Sequence, residues 1–345
     1  MNNKNPPIDH LAVFLGQMRP PLEAELIKSV EPANGSEYRE LHHMLSYHMG
    51  WVGEDAGPES QGKRIRPILL LLTTASAGED WHTALPAASA IELVHNFSLI
   101  HDDIEDNSHL RRGRVTLWSR WGIPQAINAG DALFTLAHLA MLRLASSKNQ
   151  SIVLRAASML QQACLELTQG QYLDLAYEKQ TDLTIEQYWP MVRGKTAALL
   201  SACTAIGAVI ADSDEAKISA YQQFGHQLGL AFQVLDDILG IWGDSEKTGK
   251  SSASDLVAGK KSLPVLYGLS QNGSFADRWH AGPIQPQEAT SMAELLSTTG
   301  AREYAQSASN TLTQRALGSL EEADPQGEAG VALYQLAHLL LDRHF

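Results

Sequence analysis

Two short clusters of acidic side chains dominate the chemistry this sequence could do. Residues 93–106 read LVHNFSLIHDDIED, an apolar stretch ending in Asp102, Asp103, Glu105 and Asp106. On a helix Asp102 and Asp106 share a face, which Ser98 or Leu99 and then His95 extend backwards. Residues 228–244 read LGLAFQVLDDILGIWGD, with Asp236 and Asp237 adjacent in an equally apolar run. Asp244 lies near the same face if the helix survives Gly240 and Gly243. One such cluster could be a solvated helix end, because exposed like charges cost only ~0.2–0.5 kcal/mol per pair. Negative charge is nevertheless poorly placed at a helix C-terminus. A bound divalent cation would reverse both penalties. Oxygen donors alone suit Mg²⁺, which keeps several waters and bridges to phosphates. Two clusters in matching apolar contexts, on helices facing each other, would line a cavity with carboxylates for several cations.

Cationic groups accompany them. Residues 62–67, GKRIRP, place Lys63, Arg64 and Arg66 at the start of an apolar run. A helix N-terminus there would be a natural diphosphate site. Arg111, Arg112 and Arg114 follow the first acidic cluster, and arginine forks match phosphate oxygens. Lys195-Thr196, Lys250 and Lys260-Lys261 are further candidates, each weak alone. The GKT at 194–196 lacks the preceding glycine, the spacing and the leading strand of a nucleotide-binding loop.

The elements that must position these groups read as helices. Apolar residues recur at three- and four-residue spacing, and alternating runs are scarce. The pattern predicts helices over 11–30, interrupted at Pro20 and Pro21, and over 37–49 and 67–77, with Pro67 at the first helical position. Further helices are expected over 84–106, 124–145, 151–177, 185–210 with a break near Pro190, 215–242, 263–269, 288–296, 301–320 and 330–344. Loops fall at 33–36, 50–62, 243–259 and 272–286. No linker or internal repeat divides the chain. The expected fold class is all-α: one helical-bundle domain over 1–345 around a central apolar cavity, with N-terminal helices to residue 60, a motif-bearing core over 61–269 and C-terminal helices beyond.

Bulk properties set the outer limits. Of 345 residues, 39 are acidic and 26 basic, a formal charge of −13. That balance argues against nucleic-acid binding, which leans on a basic surface. The two cysteines, Cys164 and Cys203, have no metal spacing and read as buried thiols. No apolar run reaches the ~18 residues of a membrane span, and the polar N-terminus has no secretory pattern. A cytoplasmic location is the expectation.

The ordered motifs resemble those of the trans-isoprenyl diphosphate synthases (polyprenyl synthetases). The matching segments are GKRIRP (62–67), LVHNFSLIHDDIEDNSHLRRGRVTLW (93–118), GQYLDLAYE (170–178), RGKTAALL (193–200), FQVLDDILGIWGD (232–244), TGKSSASDL (248–256) and KKSLPVLYGL (260–269). The resemblance implies a helical enzyme that condenses an allylic diphosphate with isopentenyl diphosphate. It implies that Asp102, Asp103 and Asp106, with Asp236 and Asp237, hold three Mg²⁺. It assigns Arg111, Lys195, Thr196, Gln233, Lys250 and Lys260 to the allylic diphosphate. Lys63, Arg66, His95 and Arg112 go to the isopentenyl diphosphate, and Gln171 and Asp174 line the site. Asp102, Asp103, Lys195 and Asp236 are the expected catalytic groups, and a homodimer is the expected assembly. The departure is Gly240, which stands where the family's second motif usually ends in Asp; Asp244 is the sequence's own candidate to compensate.

Chain length is the last expectation. Phe97 lies five residues before Asp102, roughly 7.5 Å lower on a helix axis, and Ser98 is small. In the family one such aromatic without an insertion in the motif goes most often with a C20 product, so geranylgeranyl diphosphate is expected, with farnesyl and C25 products as alternatives. A class I terpene cyclase would not need GKRIRP or His95 for a second diphosphate. A non-catalytic regulatory subunit is the third reading, which Gly240 favours and the complete first motif opposes.

Overall fold

The computed structural model describes residues 9–243 and 253–341. Asp244 and Lys250 lie outside them. The helices are α1 (His10–Val30), α2 (Arg39–His48), α3 (Pro58–Gln61), α4 (Ile65–Ser76), α5 (Leu85–Glu105), α6 (Leu117–Trp121), α7 (Ile123–Leu142), α8 (Gln150–Glu178), α9 (Ile185–Val192), α10 (Ala198–Ile210) and α11 (Glu215–Trp242). After them come α12 (Ser254–Val257), α13 (Leu263–Ser270), α14 (Ser274–His280), α15 (Ala289–Ser297), α16 (Ala301–Ala323) and α17 (Gly327–Leu341). The all-α expectation holds.

The chain forms two compact units. The first comprises Met1–Gln161, Cys203–Ile218 and Asp324–Gln335; the second comprises Gln162–Ala202, Ser219–Ala323 and Leu336–Phe345. In the first, α5 packs on α7, α4 and α1. Helix α4, IRPILLLLTTAS, is buried on every side from Pro67 to Thr74, which is why its sequence is apolar all round rather than striped. Leu69, Leu70, Leu71 and Leu72 are all fully buried, each stabilising the fold by roughly 1.5–3 kcal/mol. In the second unit Ile241, Leu256, Val265, Phe275, Met292 and Leu296 form one core cluster, and Tyr267 stacks on Tyr304 with ring centroids 4.2 Å apart.

Three local expectations need correction. Helix α1 runs unbroken through Pro20 and Pro21. Burial of Met18, Leu22, Leu26 and Val30 outweighs the backbone hydrogen bonds two prolines remove, as tertiary packing often does. Pro67 is the third residue of α4, not the first; its missing N–H still belongs to the four a helix start leaves unpaired. The break in 185–210 is not at Pro190, which lies inside α9, but in a π-helical turn over Arg193–Ala197. A short β-hairpin, β1 (Leu110–Arg111) and β2 (Arg114–Val115), was not expected either. Arg111 pairs with Arg114 across it, and Arg112 and Gly113 at its tip both have positive φ, 52° and 75°, as a type I′ turn requires.

Candidate active site

In the first unit the GKRIRP segment divides its cations by backbone conformation. Arg64, with φ 53°, caps α4 in the left-handed region. Its side chain turns inward: Nε donates to Glu23 at 2.7 Å and Nη1 to Glu92 at 2.8 Å. Glu92 also accepts from Asn96 Nδ2 at 2.9 Å. Arg64 is therefore an internal strut. Lys63 is exposed, and Arg66 reaches His95, with Nη1 3.2 Å from Nε2. Arg66 Nε is buried and has no hydrogen-bond partner among the described residues, so this guanidinium has donor capacity left for an anion.

The hairpin brings two more arginines to the same group. Arg112 Nη1 donates to the carbonyls of Ser60 and Gln61 at 3.1 and 3.0 Å, tying the tip of the turn to the residues just before Lys63. Arg111 Nε donates to Asp103 Oδ1 at 2.7 Å. Crowding of cations shows in the histidines. Burial and then Arg66, Arg112, Arg111 and Arg64 hold His95 well below its ordinary range, so it stays neutral and keeps a lone pair for Arg66. Burial, followed by Arg112, Arg111, Arg64 and Arg114, lowers His48 to about 3. A depressed histidine gives stability that is complete above its unfolded pKa near 6.5 and is lost as pH falls from there toward 3. His48→Gln is expected to move acid unfolding to lower pH, read as the fluorescence midpoint of a pH titration; an unchanged midpoint would remove His48 as a contributor.

The first acidic pair is asymmetric. Asp103 is 2% exposed and held by Arg111; burial pushes its carboxyl up against the pull of that guanidinium. Asp102 is partly exposed and Asp106, the residue capping α5, is exposed. Phe97, roughly 140° around the helix from Asp102, turns to α7. Its ring centroid lies 4.9 Å from Phe134 and 5.2 Å from His101. Ser98 Oγ donates to the His95 carbonyl at 2.8 Å.

The second unit repeats the asymmetry. Asp237 is 6% exposed. Its Oδ2 accepts from Tyr188 Oη at 2.7 Å and the Leu263 N–H at 3.0 Å, and its Oδ1 from Gln233 Nε2 at 2.9 Å. Burial raises this carboxyl to about 6 against those donors. Asp236 beside it is partly exposed. Gln233 in turn accepts from Thr196 Oγ1 at 2.8 Å, and Lys195 pairs with Asp174 of α8. Lys195 and Thr196 both sit in the π turn, an irregularity often found at functional sites. The turn presses against α8: a Cβ on Gly170 would lie 2.1 Å from the Lys195 backbone nitrogen, and one on Gly194 2.5 Å from the Glu166 carbonyl. Neither position can hold a side chain, and this close approach brings Lys195 to Asp174. Lys260 is exposed, with Nζ 3.5 Å from Asp255.

The structure thus groups Arg66, His95, Arg111, Arg112 and Asp103 in the first unit, and Asp174, Lys195, Thr196, Gln233 and Asp237 in the second. Three residues were missed by sequence reasoning: Arg64 as a strut, Tyr188 as a partner of Asp237, and Asp255. The only signal for Tyr188 was an aromatic in a helix, which is ordinarily core. The carboxylate oxygens of Asp102 and Asp106 in the first unit, and of Asp236 in the second, are donors of the kind that suit Mg²⁺. Among the described residues no three acid, His or Cys side chains enclose an ion on their own, so waters or substrate oxygens would complete its shell.

Residues 55–296 match the family model described as Polyprenyl synthetase. A (2E,6E)-farnesyl diphosphate synthase of Mycobacterium tuberculosis is 38% identical over 313 residues, covering 88% of this chain and 86% of that protein. A geranylgeranyl diphosphate synthase of the same species is 37% identical, covering 90% and 93%. The crystal structure of a geranylgeranyl pyrophosphate synthetase from Pyrococcus horikoshii superposes with a TM-score of 0.86 at 30% identity, over 97% of this chain and 98% of that one. The paired aspartates, the cations beside them and these likenesses agree: the chain belongs to the polyprenyl synthetase family.

Proposed function

We infer that this chain is a short-chain trans-prenyltransferase that condenses isopentenyl diphosphate with an allylic diphosphate and releases diphosphate. The observation that carries it is the repeated pairing, in both units, of a partly exposed aspartate with a buried, hydrogen-bonded one beside cationic side chains. Relatives named as farnesyl and geranylgeranyl synthases support the substrate class. The family match runs through residues of both units, which supports reading them as one catalytic domain.

In this reading Asp102, Asp106 and Asp236 hold Mg²⁺, three ions per site, and Asp103 and Asp237 fix the local geometry. Bound Mg²⁺ supplies positive charge that stabilises the departing diphosphate. Lys195, Thr196, Arg111, Gln233 and Lys260 bind and orient the allylic diphosphate. Lys63, Arg66, Arg112 and neutral His95 hold the isopentenyl diphosphate. The double bond of isopentenyl diphosphate attacks the allylic carbon as its C–O bond breaks. A proton is then lost to the released diphosphate, so no side-chain nucleophile is required. The arginines act by standing ready where charge develops. Purified protein given Mg²⁺, isopentenyl diphosphate and each allylic starter should make longer diphosphates. No product from any starter, or consumption of allylic diphosphate without its partner, would overturn this reading.

The product we assign is geranylgeranyl diphosphate, with Phe97 as the floor. Phe97→Ala is expected to shift the main product by at least one C5 unit, read by mass spectrometry of the dephosphorylated alcohols. Unchanged lengths would dismiss Phe97. We also assign a homodimer. Leu139 and Leu142, three residues apart on α7, are 49% and 54% exposed, neighbouring apolar side chains suited to contact with a second copy. Sedimentation at micromolar concentration should give the mass of two chains, and Leu139→Glu should halve it; a single-chain mass for the unaltered protein would refute the assembly.

A further inference from the structure

Helix α2 ends at His48, just before residues 55–296, the span that matches the family model. Three ties bring this end of α2 against the cations of the first unit. Arg114 Nη1 donates to the Tyr47 carbonyl at 2.7 Å, and Arg64 Nη2 to the Met49 carbonyl at 3.3 Å. Guanidinium groups thus hold the backbone on both sides of His48. Gly50, with φ 81°, then presses the chain onto the Ser60–Gln61 peptide: a Cβ there would lie 2.7 Å from the Gln61 nitrogen. The carbonyls of those same two residues anchor Arg112. The Arg112 guanidinium in turn covers Gly62, where a Cβ would lie 2.6 Å from Cζ. Carbonyls at a helix C-terminus carry partial negative charge that repels an anion. Here two of them are covered by Arg114 and Arg64.

The His48 ring has no such engagement. Its Nε2 is buried and has no hydrogen-bond partner among the described residues. Burial, with Arg112, Arg111, Arg64 and Arg114, keeps a second proton off the ring. It is therefore neutral, with one N–H to give and one lone pair. A buried polar atom without a partner costs free energy, and an apolar side chain would fill the same space without that cost. We propose that His48 is a further binding residue for isopentenyl diphosphate, donating its ring N–H to a diphosphate oxygen beside Lys63, Arg66, Arg112 and His95. This rests on the synthase reading above and deepens it. The residue is only half-buried, so a turn about its Cβ–Cγ bond presents the nitrogen to an arriving anion. A neutral donor suits the position, because the arginines already supply the charge and another cation would repel them in the empty site.

The test is steady-state kinetics with each substrate varied in turn. His48→Leu should raise KM for isopentenyl diphosphate about tenfold or more, the scale of one hydrogen bond to a charged group, and leave KM for the allylic substrate nearly unmoved. His48→Gln, whose amide places an N–H near the same point, should recover most of that loss. A Gln variant as weak as the Leu variant would assign the effect to the shape of the ring and overturn the proposal. So would an unmoved KM for isopentenyl diphosphate in His48→Leu, or an equal rise in both KM values, while the unaltered chain makes product normally. Absence of product from the unaltered chain overturns the synthase reading as well. Should His48→Leu lose its fold, nitrogen NMR of the histidine rings in the unaltered protein decides. Isopentenyl diphosphate should shift the His48 resonance, assigned by its loss in His48→Gln, and an unmoved resonance overturns the proposal.

Discussion

Asp102→Asn is expected to lower kcat by about 10²–10³, the usual cost of removing one preorganised electrostatic group from an active site, while leaving the thermal midpoint nearly unchanged. The separation of the two effects follows from where the side chain lies. Asp102 is partly exposed near the end of α5, and asparagine preserves its shape and helical geometry. What is lost is the negative charge on which the proposed Mg²⁺ depends. The neighbouring Asp103→Asn should behave in the opposite sense. Asp103 is buried and accepts from Arg111, and a hydrogen bond to a charged group contributes roughly 1.5–3 kcal/mol. That variant should lose stability and raise KM for the allylic substrate through a misplaced Arg111, with a smaller change in kcat. Steady-state kinetics and thermal melts of both variants check the contrast. A loss below tenfold in kcat for Asp102→Asn would remove it from the metal set.

That contrast marks the limit of the sequence. Two aspartate pairs in apolar runs are visible in the letters alone, and they led to the right family. Which member of each pair turns inward is not visible, because adjacent residues on a helix differ by only about 100° and both flanks are apolar. The answer depends on partners far along the chain: Arg111 for Asp103, Tyr188 and the Leu263 N–H for Asp237. The same holds for GKRIRP, where three cations look equivalent until the left-handed Arg64 sends its own side chain into the core. The hairpin carrying Arg111 and Arg112 has strands of two residues, too short for alternation to register. The π turn shifts the helical pattern by a single residue, so Pro190 looked like the natural break.

Arg64→Met should be the most destabilising single change among these residues, at about 3–5 kcal/mol, the cost of breaking a buried pair by removing one partner. Arg64 and Glu92 have side chains 2% and 3% exposed. Burial works against the Arg64 charge, but Glu92 and then Glu23 carry its pKa above the ordinary value, so the cation is firmly held. Methionine fills much of the volume and leaves Glu92, among the described residues, with Asn96 Nδ2 at 2.9 Å as its side-chain donor, not enough to solvate a buried negative charge. Adding Glu92→Gln should recover part of the loss, because the unpaired charge goes with it; a double-mutant cycle on the two positions isolates that coupling. The effect should reach the site as well. Arg64 adopts φ 53°, which costs an ordinary residue of order 1–3 kcal/mol, and its buried ion pairs are what hold it there. Once released, the start of α4 is free to relax, and Lys63 and Arg66 lose their fixed positions. KM for isopentenyl diphosphate should therefore rise more than KM for the allylic substrate. Equal stability of Arg64→Met and the unaltered chain in urea unfolding would show that Arg64 is not the strut on which this end of the site is built.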